Sequence, residues 1–120
     1  MTEFDYPIVR KLKAAAPFPI DVECAGYPDV IFHVILNEKA TPHHTEICVN
    51  ALMLYMHEYD KWHFLKPIHY VSDVDSLPVA PSVFSICVHV DFGSAGPKGL
   101  LGAVKAIAAT ELPIYRLVLE

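Results

Sequence analysis

Charged residues are scarce in this sequence, and cysteines and long apolar runs are few. Only 19% of its 120 residues are charged and 53% are hydrophobic, whereas about 25% are charged in a typical globular chain. This composition excludes a disordered chain, and the lack of a heptad or of periodic glycine excludes a coiled coil and a collagen-like repeat. No apolar run approaches the roughly 20 residues that span a bilayer, since charges, histidines or prolines interrupt each one. The sequence therefore predicts one compact domain over residues 1–120.

The cysteines and the N-terminal residues indicate the setting. Cys24, Cys48 and Cys87 are an odd number in unrelated contexts, so a disulfide framework is not expected. Residues 1–5 are acidic and lack the basic start and apolar core of a signal peptide. We therefore expect a reducing, cytoplasmic location with no membrane partner, and no motif predicts a cofactor.

The net charge of −5 is distributed unevenly. Residues 1–60 contain nine acidic and four basic residues, whereas residues 61–120 contain five of each. Nucleic-acid binding is not expected, because it needs clustered cations that displace counterions from phosphates. The acidic surplus has two interpretations: a patch that binds a basic partner, or solvated charge that keeps an apolar domain in solution.

The hydrophobic periodicity and the positions of proline and glycine predict alternating strands and helices. Two long amphipathic helices are expected: one begins at Thr41-Pro42 and ends before Pro67, and the other follows the turn 93–97 and ends before Pro113. The first has Trp62, Tyr55 and Tyr59 on its core-facing stripe. A short helix is expected over residues 5–15, and strands are expected over 20–24, 30–36, 68–72, 83–92 and 114–119.

From residue 30 onward, the predicted order is β-α-β-β-α-β. This order resembles the ferredoxin-like split βαβ arrangement, in which two helices pack on one face of a four-stranded sheet. The predicted fold class is therefore α+β, a ferredoxin-like sandwich with an extra N-terminal strand and a short N-terminal helix. The resemblance implies no activity, because unrelated functions share this fold.

The open face of the sheet is the first candidate site. Alternation places the odd-numbered residues of the strands around 33 and 89 on the side away from the helices. We predict no catalytic and no metal site there; the alternative that imidazole, thiol and carboxylate groups leave open is either a catalytic or ligand site of His33, His69, His89 and Asp91, or a zinc site of His33, Cys87 and His89. The other interpretation is a packing surface with locally hydrogen-bonded histidines. Four apolar residues also fall on this face, which predicts that the chain's own N-terminal segment, a second copy or a partner covers it: Ile31, Ile35, Ile114 and Val118.

The glycine-rich turn before the second long helix is another candidate site. Backbone amides and a lysine at a helix start suit an anion. The alternative is a tight turn with close helix packing at Gly99 and Gly102. The residues of the anion hypothesis are Gly93, Ser94, Gly96, Lys98 and Gly99.

Two functional hypotheses follow. The first is a small acidic binding or inhibitor protein, such as an immunity-type antitoxin that neutralises a basic enzyme by surface complementarity. Its predicted partner surface comprises Asp21 and Glu23, with Glu58, Asp60, Asp73 and Asp75 as secondary positions. The alternative is a homodimeric enzyme or sensor that binds a small ligand or a metal through the histidines of the open sheet face.

Overall fold

A computed structural model describes residues 6–23, 29–62, 70–73, 84–93 and 95–120. Within these ranges no helix is long and apolar enough to cross a membrane. The chain forms an α+β fold, as the alternating periodicity predicts. The elements in chain order are α1 (Tyr6–Lys13), β1 (Ile20–Val22), β2 (Asp29–Leu36), α2 (Pro42–Trp62), β3 (Tyr70–Asp73), β4 (Ser85–Asp91), α3 (Gly96–Ala108) and β5 (Ile114–Leu119).

The described strands form one mixed sheet in the order β1-β5-β2-β4-β3. Strand β2 lies between β4 and β5 and is antiparallel to both, and β3 is antiparallel to β4. Strand β1 adds to the outer edge of β5 in parallel. Because β2 and β4 are neighbours, their outward side chains share one face of the sheet.

The core lies between the sheet and the helices. Alternate residues of β2 and β4 point inward, and the rings of Phe32 and Phe92 are 6.2 Å apart at their centroids. Both phenylalanines are fully buried, and side chains of all three helices contribute to the same cluster. The buried inward residues of β2 and β4 are Val30, Phe32, Val34, Leu36, Ile86, Val88 and Val90.

Helix α2 begins where Thr41-Pro42 predicts it. The Thr41 hydroxyl accepts a hydrogen bond from the His44 amide at 3.2 Å, and the Thr41 amide donates to Nδ1 of His44 at 3.1 Å. This reciprocal pair resembles a capping box in which histidine takes the place of glutamate. His44 is therefore used in the helix cap, while Cys48 of the same helix is fully buried.

Three side chains differ from the predictions made from periodicity, which placed Trp62 and Phe84 in the core and Ile114 on the open face. Trp62, expected in the core, is 74% exposed at the last residue of α2. Phe84 is 43% exposed because β4 begins only at Ser85. A register shift between Ile35 and Leu36 pairs Leu36 with Ile114, so Ile114 packs against the core rather than on the open face.

Two tyrosines join α2 to the start of α3. The Tyr55 hydroxyl lies 3.5 Å from the carbonyl oxygen of Lys98, and the Tyr59 hydroxyl lies 3.4 Å from that of Ala95. A Cβ on Gly102 would overlap the Tyr55 ring, so the close approach of the two helices needs glycine there. Partial burial raises the pKa of Tyr55 to about 12, and burial also raises the pKa of Tyr59.

We expect the free energy of unfolding to fall between about pH 10 and about pH 12, by about 1–2 kcal/mol from Tyr55. Above pH 10 the tyrosine ionises in the unfolded chain but stays protonated in the folded one, so the unfolded state binds fewer protons and stability decreases as pH rises. Urea unfolding across this range measures the effect. The Tyr55→Phe variant should show a shallower decrease; an identical slope in both proteins would contradict the assignment.

Candidate functional site on the open sheet face

The face of the sheet opposite the helices carries the polar side chains of the central strands. It contains the outward residues of β2 and β4, together with those of β5 and β1 beside them. The register places His33 directly opposite Cys87 and Ile31 directly opposite His89. Alternation and the ferredoxin-like strand order predicted that these residues share a face on neighbouring strands, but not the register that sets them opposite one another.

The His33 ring lies between a thiol and a carboxylate. Its Nδ1 atom is 3.3 Å from Sγ of Cys87, and its Nε2 atom is 2.6 Å from Oε2 of Glu120. The backbone holds Glu120 in place, because Glu120 and Ile31 exchange N–H to C=O hydrogen bonds of 2.9 and 2.7 Å. Strands β4 and β2 and the residue that follows β5 thus place a thiol and a carboxylate at the two nitrogens of one imidazole.

This geometry fixes the direction of the hydrogen bonds when His33 is neutral. An ionised carboxylate only accepts hydrogen bonds, so Nε2 carries the proton and donates it to Glu120. The Nδ1 atom is then a lone-pair acceptor, and the Cys87 thiol donates to it. Such an arrangement lets the imidazole take the thiol proton while the carboxylate orients the ring and stabilises the imidazolium, as in nucleophile–base–carboxylate sites generally.

A second histidine–carboxylate pair lies on the same face. Nε2 of His89 is 2.8 Å from Oδ1 of Asp29, across the β2–β4 pairing. His89 stands two residues from Cys87 on β4, about 7 Å along an extended strand. Both histidine side chains are 23% exposed, so solvent or a ligand reaches them.

Arg116 and Asp21 form an ion pair at the β1–β5 side of this face. The guanidinium Nη1 lies 2.6 Å from Oδ2 of Asp21. This hydrogen bond and the negative charge of Asp21 raise the pKa of Arg116 above its usual value. Asp21, which the sequence offered as a partner-binding residue, is therefore engaged within the chain itself.

Solvent exposure differs slightly between the two described cysteines. Cys87 is 8% exposed, whereas Cys48 is fully buried. Ile31 and Ile35 lie on β2 at the positions diagonal to Cys87, and Val118 lies one strand further away, opposite His33 on β5; all three are half-buried. The Cys87 thiol is therefore mostly buried, with a small exposed fraction on this face.

The structure does not bring the predicted acidic partner residues together. Asp21 lies on β1 and Asp73 on β3, at opposite edges of the sheet, which separates their strands by about 19 Å at the usual spacing. Glu58 and Asp60 belong to α2, in the helix layer. Glu23 is exposed and its amide donates to the Leu119 carbonyl. Asp75 lies outside the described residues.

The glycine-rich turn has the shape expected of a tight connection. Gly93 and Gly96 adopt positive φ angles of 54° and 70°. Gly99 is buried, and a Cβ there would come within 2.8 Å of the Ala95 Cβ, so close packing accounts for this glycine. Lys98 is exposed in the first turn of α3, and Ser94 lies outside the described residues. The anion-binding hypothesis stays a prediction.

In the part of the chain that the structure describes, no three histidine, cysteine or acidic side chains are arranged to hold a metal ion. His33 and Cys87 are in contact, but His89 pairs with Asp29 instead of joining them. His69, which belongs to the catalytic or ligand hypothesis, lies outside the described residues. Asp91 is on the expected face, where its carboxylate accepts a hydrogen bond from the Gly93 amide at 2.9 Å.

Sequence analysis missed the two carboxylates that pair with the histidines. Glu120 is 87 positions from His33, and Asp29 is 60 positions from His89. Each acidic residue stands at the end of a strand, where alternation is weakest as a signal. The antiparallel order of β5, β2 and β4 could have indicated both pairs, because it brings the start of β2 beside the ends of the other two strands.

Comparisons of the chain with models of known protein families, with curated proteins and with solved structures gave no match.

Proposed function

We propose that the protein is a thiol-dependent enzyme of the acyl-transfer or hydrolytic class, with its reaction centre on the open sheet face. Cys87 is the nucleophile, His33 the general base and Glu120 the residue that orients His33. The observation that supports this proposal is the bridging position of the His33 ring, 3.3 Å from Cys87 Sγ and 2.6 Å from Glu120 Oε2.

The reaction follows from the protons and bonds of these three groups. Nδ1 of His33 takes the thiol proton, and the resulting thiolate attacks the acyl carbon of an ester or thioester. A carbon–sulfur bond to Cys87 forms, the bond to the leaving group breaks, and the imidazolium returns its proton to the leaving group. Water then hydrolyses the acyl–Cys87 bond, which releases the acid and restores the thiol.

The test is acylation by p-nitrophenyl acetate, followed by release of nitrophenolate and by intact-protein mass. A variant carrying Cys24→Ser and Cys48→Ala leaves Cys87 as the single cysteine. We expect this variant to gain one acetyl group at Cys87 and to release nitrophenolate at least about tenfold faster than free glutathione does at the same pH.

The matched control is Cys87→Ser in an otherwise wild-type chain. This change replaces sulfur by oxygen and preserves shape, so circular dichroism should be unchanged while acetylation of the protein by the ester is lost. Acetylation of Cys24 or Cys48 without Cys87, or reaction of Cys87 no faster than glutathione, would overturn the proposal.

A second candidate function is the inhibitor or immunity-type antitoxin of the first hypothesis. The strand register supports it at a different place from the one predicted: Asp29 lies directly opposite Asp91, and Glu23 and Glu120 follow the paired residues Val22 and Leu119. Asp29 pairs with His89 and Asp91 accepts a hydrogen bond from Gly93, but the four carboxylates at this end of the sheet would still attract a basic partner. Charge reversal at Glu23 and Asp91 should then abolish binding of the partner protein, with the exposed Glu38 and Glu46 as control positions.

Finer assignments accompany these functions. We propose that β2 to β5 with α2 and α3 form a ferredoxin-like unit, an assignment supported by the order β5-β2-β4-β3 with antiparallel neighbours. A cytoplasmic location would keep the Cys87 thiol reduced. A homodimer that covers the open face stays a prediction, which light scattering tests: a monomer at micromolar concentration would contradict it.

A further inference from the structure

The charged residues of the open face indicate which substrates, cationic or anionic, can approach the Cys87 thiol. The five strands contain a single lysine or arginine, Arg116, and that residue is paired with Asp21. By strand register, five acidic residues of the strands and of the positions that follow β1 and β5 fall on the open face: Asp21, Glu23, Asp29, Asp91 and Glu120.

Four of these carboxylates belong to one end of the sheet. Asp29 begins β2 and is opposite Asp91 at the end of β4. Glu120 follows β5 and exchanges hydrogen bonds with Ile31 near the start of β2, while Glu23 follows β1 beside β5. The adjacent strands β1, β5, β2 and β4 each place an acidic residue there, so the row extends about 14 Å across the sheet.

The thiol is within electrostatic reach of this row. Glu120 contacts the same imidazole that contacts Cys87, and Asp29 contacts His89, two residues from Cys87 on β4. The strand register places Asp29 and Glu23 about 14–16 Å from Cys87, which is beyond the screening length of about 8 Å at physiological ionic strength but within the length of about 30 Å at 0.01 M salt. An approaching anion is therefore repelled and an approaching cation attracted before either reaches the sulfur.

We propose that the Cys87 site accepts cationic acyl substrates, such as esters or thioesters that carry an ammonium group, and excludes anionic ones. The proposal rests on the thiol chemistry of the proposed function and adds the class of substrate to it. The half-buried apolar residues Ile31, Ile35 and Val118 would contact the uncharged part of such a substrate.

Two methanethiosulfonate reagents of opposite charge test this proposal, because the reacting group is the same in both. The thiolate attacks the reagent sulfur, a mixed disulfide forms and methanesulfinate leaves. The protein is the variant in which Cys87 is the single cysteine, and each rate at low salt is divided by the rate of the same reagent with glutathione. The normalised rate of the trimethylammonium-ethyl reagent should be about tenfold higher than that of the sulfonato-ethyl reagent. About 1 M salt should bring the ratio close to one.

Charge-neutralised variants locate the effect. Glu23→Gln with Asp29→Asn should lower the rate ratio severalfold, whereas Glu46→Gln with Glu58→Gln, exposed on α2, removes the same charge and should leave it unchanged. Equal normalised rates for the two reagents, or equal effects of the two double variants, would overturn the substrate class while leaving the thiol chemistry intact. A Cys87 that reacts with neither reagent faster than glutathione would overturn the proposed function itself.

Discussion

Replacement of His33 by Gln is expected to slow alkylation of Cys87 by iodoacetamide about 10- to 100-fold near neutral pH. The imidazole Nδ1 lies 3.3 Å from the sulfur and is the group that we propose takes the thiol proton. Glutamine fills similar space but cannot accept that proton, so the thiolate fraction falls. Glu120→Gln should give a smaller loss, because the amide oxygen still orients the ring but no longer stabilises its positive charge.

The pH profile separates this role from a purely structural one. Above about pH 9 thiols ionise without help, so the rates of wild type and His33→Gln should converge there. Loss of access or of folding would instead lower the rate at every pH. His57→Gln, an exposed histidine on α2, is the control and should alkylate like wild type. A constant deficit across pH would refute the assignment of His33 as the base.

Truncation of Phe32 to Ala is expected to lower the free energy of unfolding by about 3–5 kcal/mol. Phe32 is fully buried at the centre of β2, and its ring packs against Phe92 at a centroid distance of 6.2 Å. Removing the ring forfeits apolar burial and leaves a cavity between the sheet and α3. A domain of this size has a total stability of about 5–15 kcal/mol, so the variant would be close to unfolding at ambient temperature.

Urea unfolding followed by circular dichroism measures this effect. Phe32→Leu retains most of the volume, so it should lose less than about 1.5 kcal/mol and provides a folded reference. Leu54→Ala is the control for apolar truncation at the surface, since Leu54 is 67% exposed on α2 and should change stability by less than about 0.5 kcal/mol. Similar losses at Phe32 and Leu54 would contradict the described core.

Local sequence pattern predicted those parts of the fold that local physics determines. Period-two alternation identified Val30, Phe32 and Val34 as inward and His33 as outward, because a strand buried on one face leaves no other pairing register. The Thr41-Pro42 pair located the start of α2 since capping involves neighbouring residues only. The order of elements followed from the same signals.

The sequence pattern gave wrong predictions where residues distant in the sequence determine the position of a side chain. The register shift between β2 and β5 turned Ile114 inward, and no feature of residues 114–119 alone indicates a shift. Trp62 has helical spacing with buried residues, yet it stands at the helix end, beyond the reach of the sheet. Alternation predicted that His33 and Cys87 lie on the same face of the sheet. It did not predict Glu120, because the contact of Glu120 with His33 depends on a strand pairing across 87 positions.

The short β1 edge of the sheet affects how a second molecule can approach it. Strand β1 has three residues, Ile20–Val22, and carries Asp21. A short, charged edge offers few open backbone groups and resists templating by another strand. Fibril growth and strand exchange at this edge are therefore disfavoured, and β5 behind it is protected from pairing with a second molecule there.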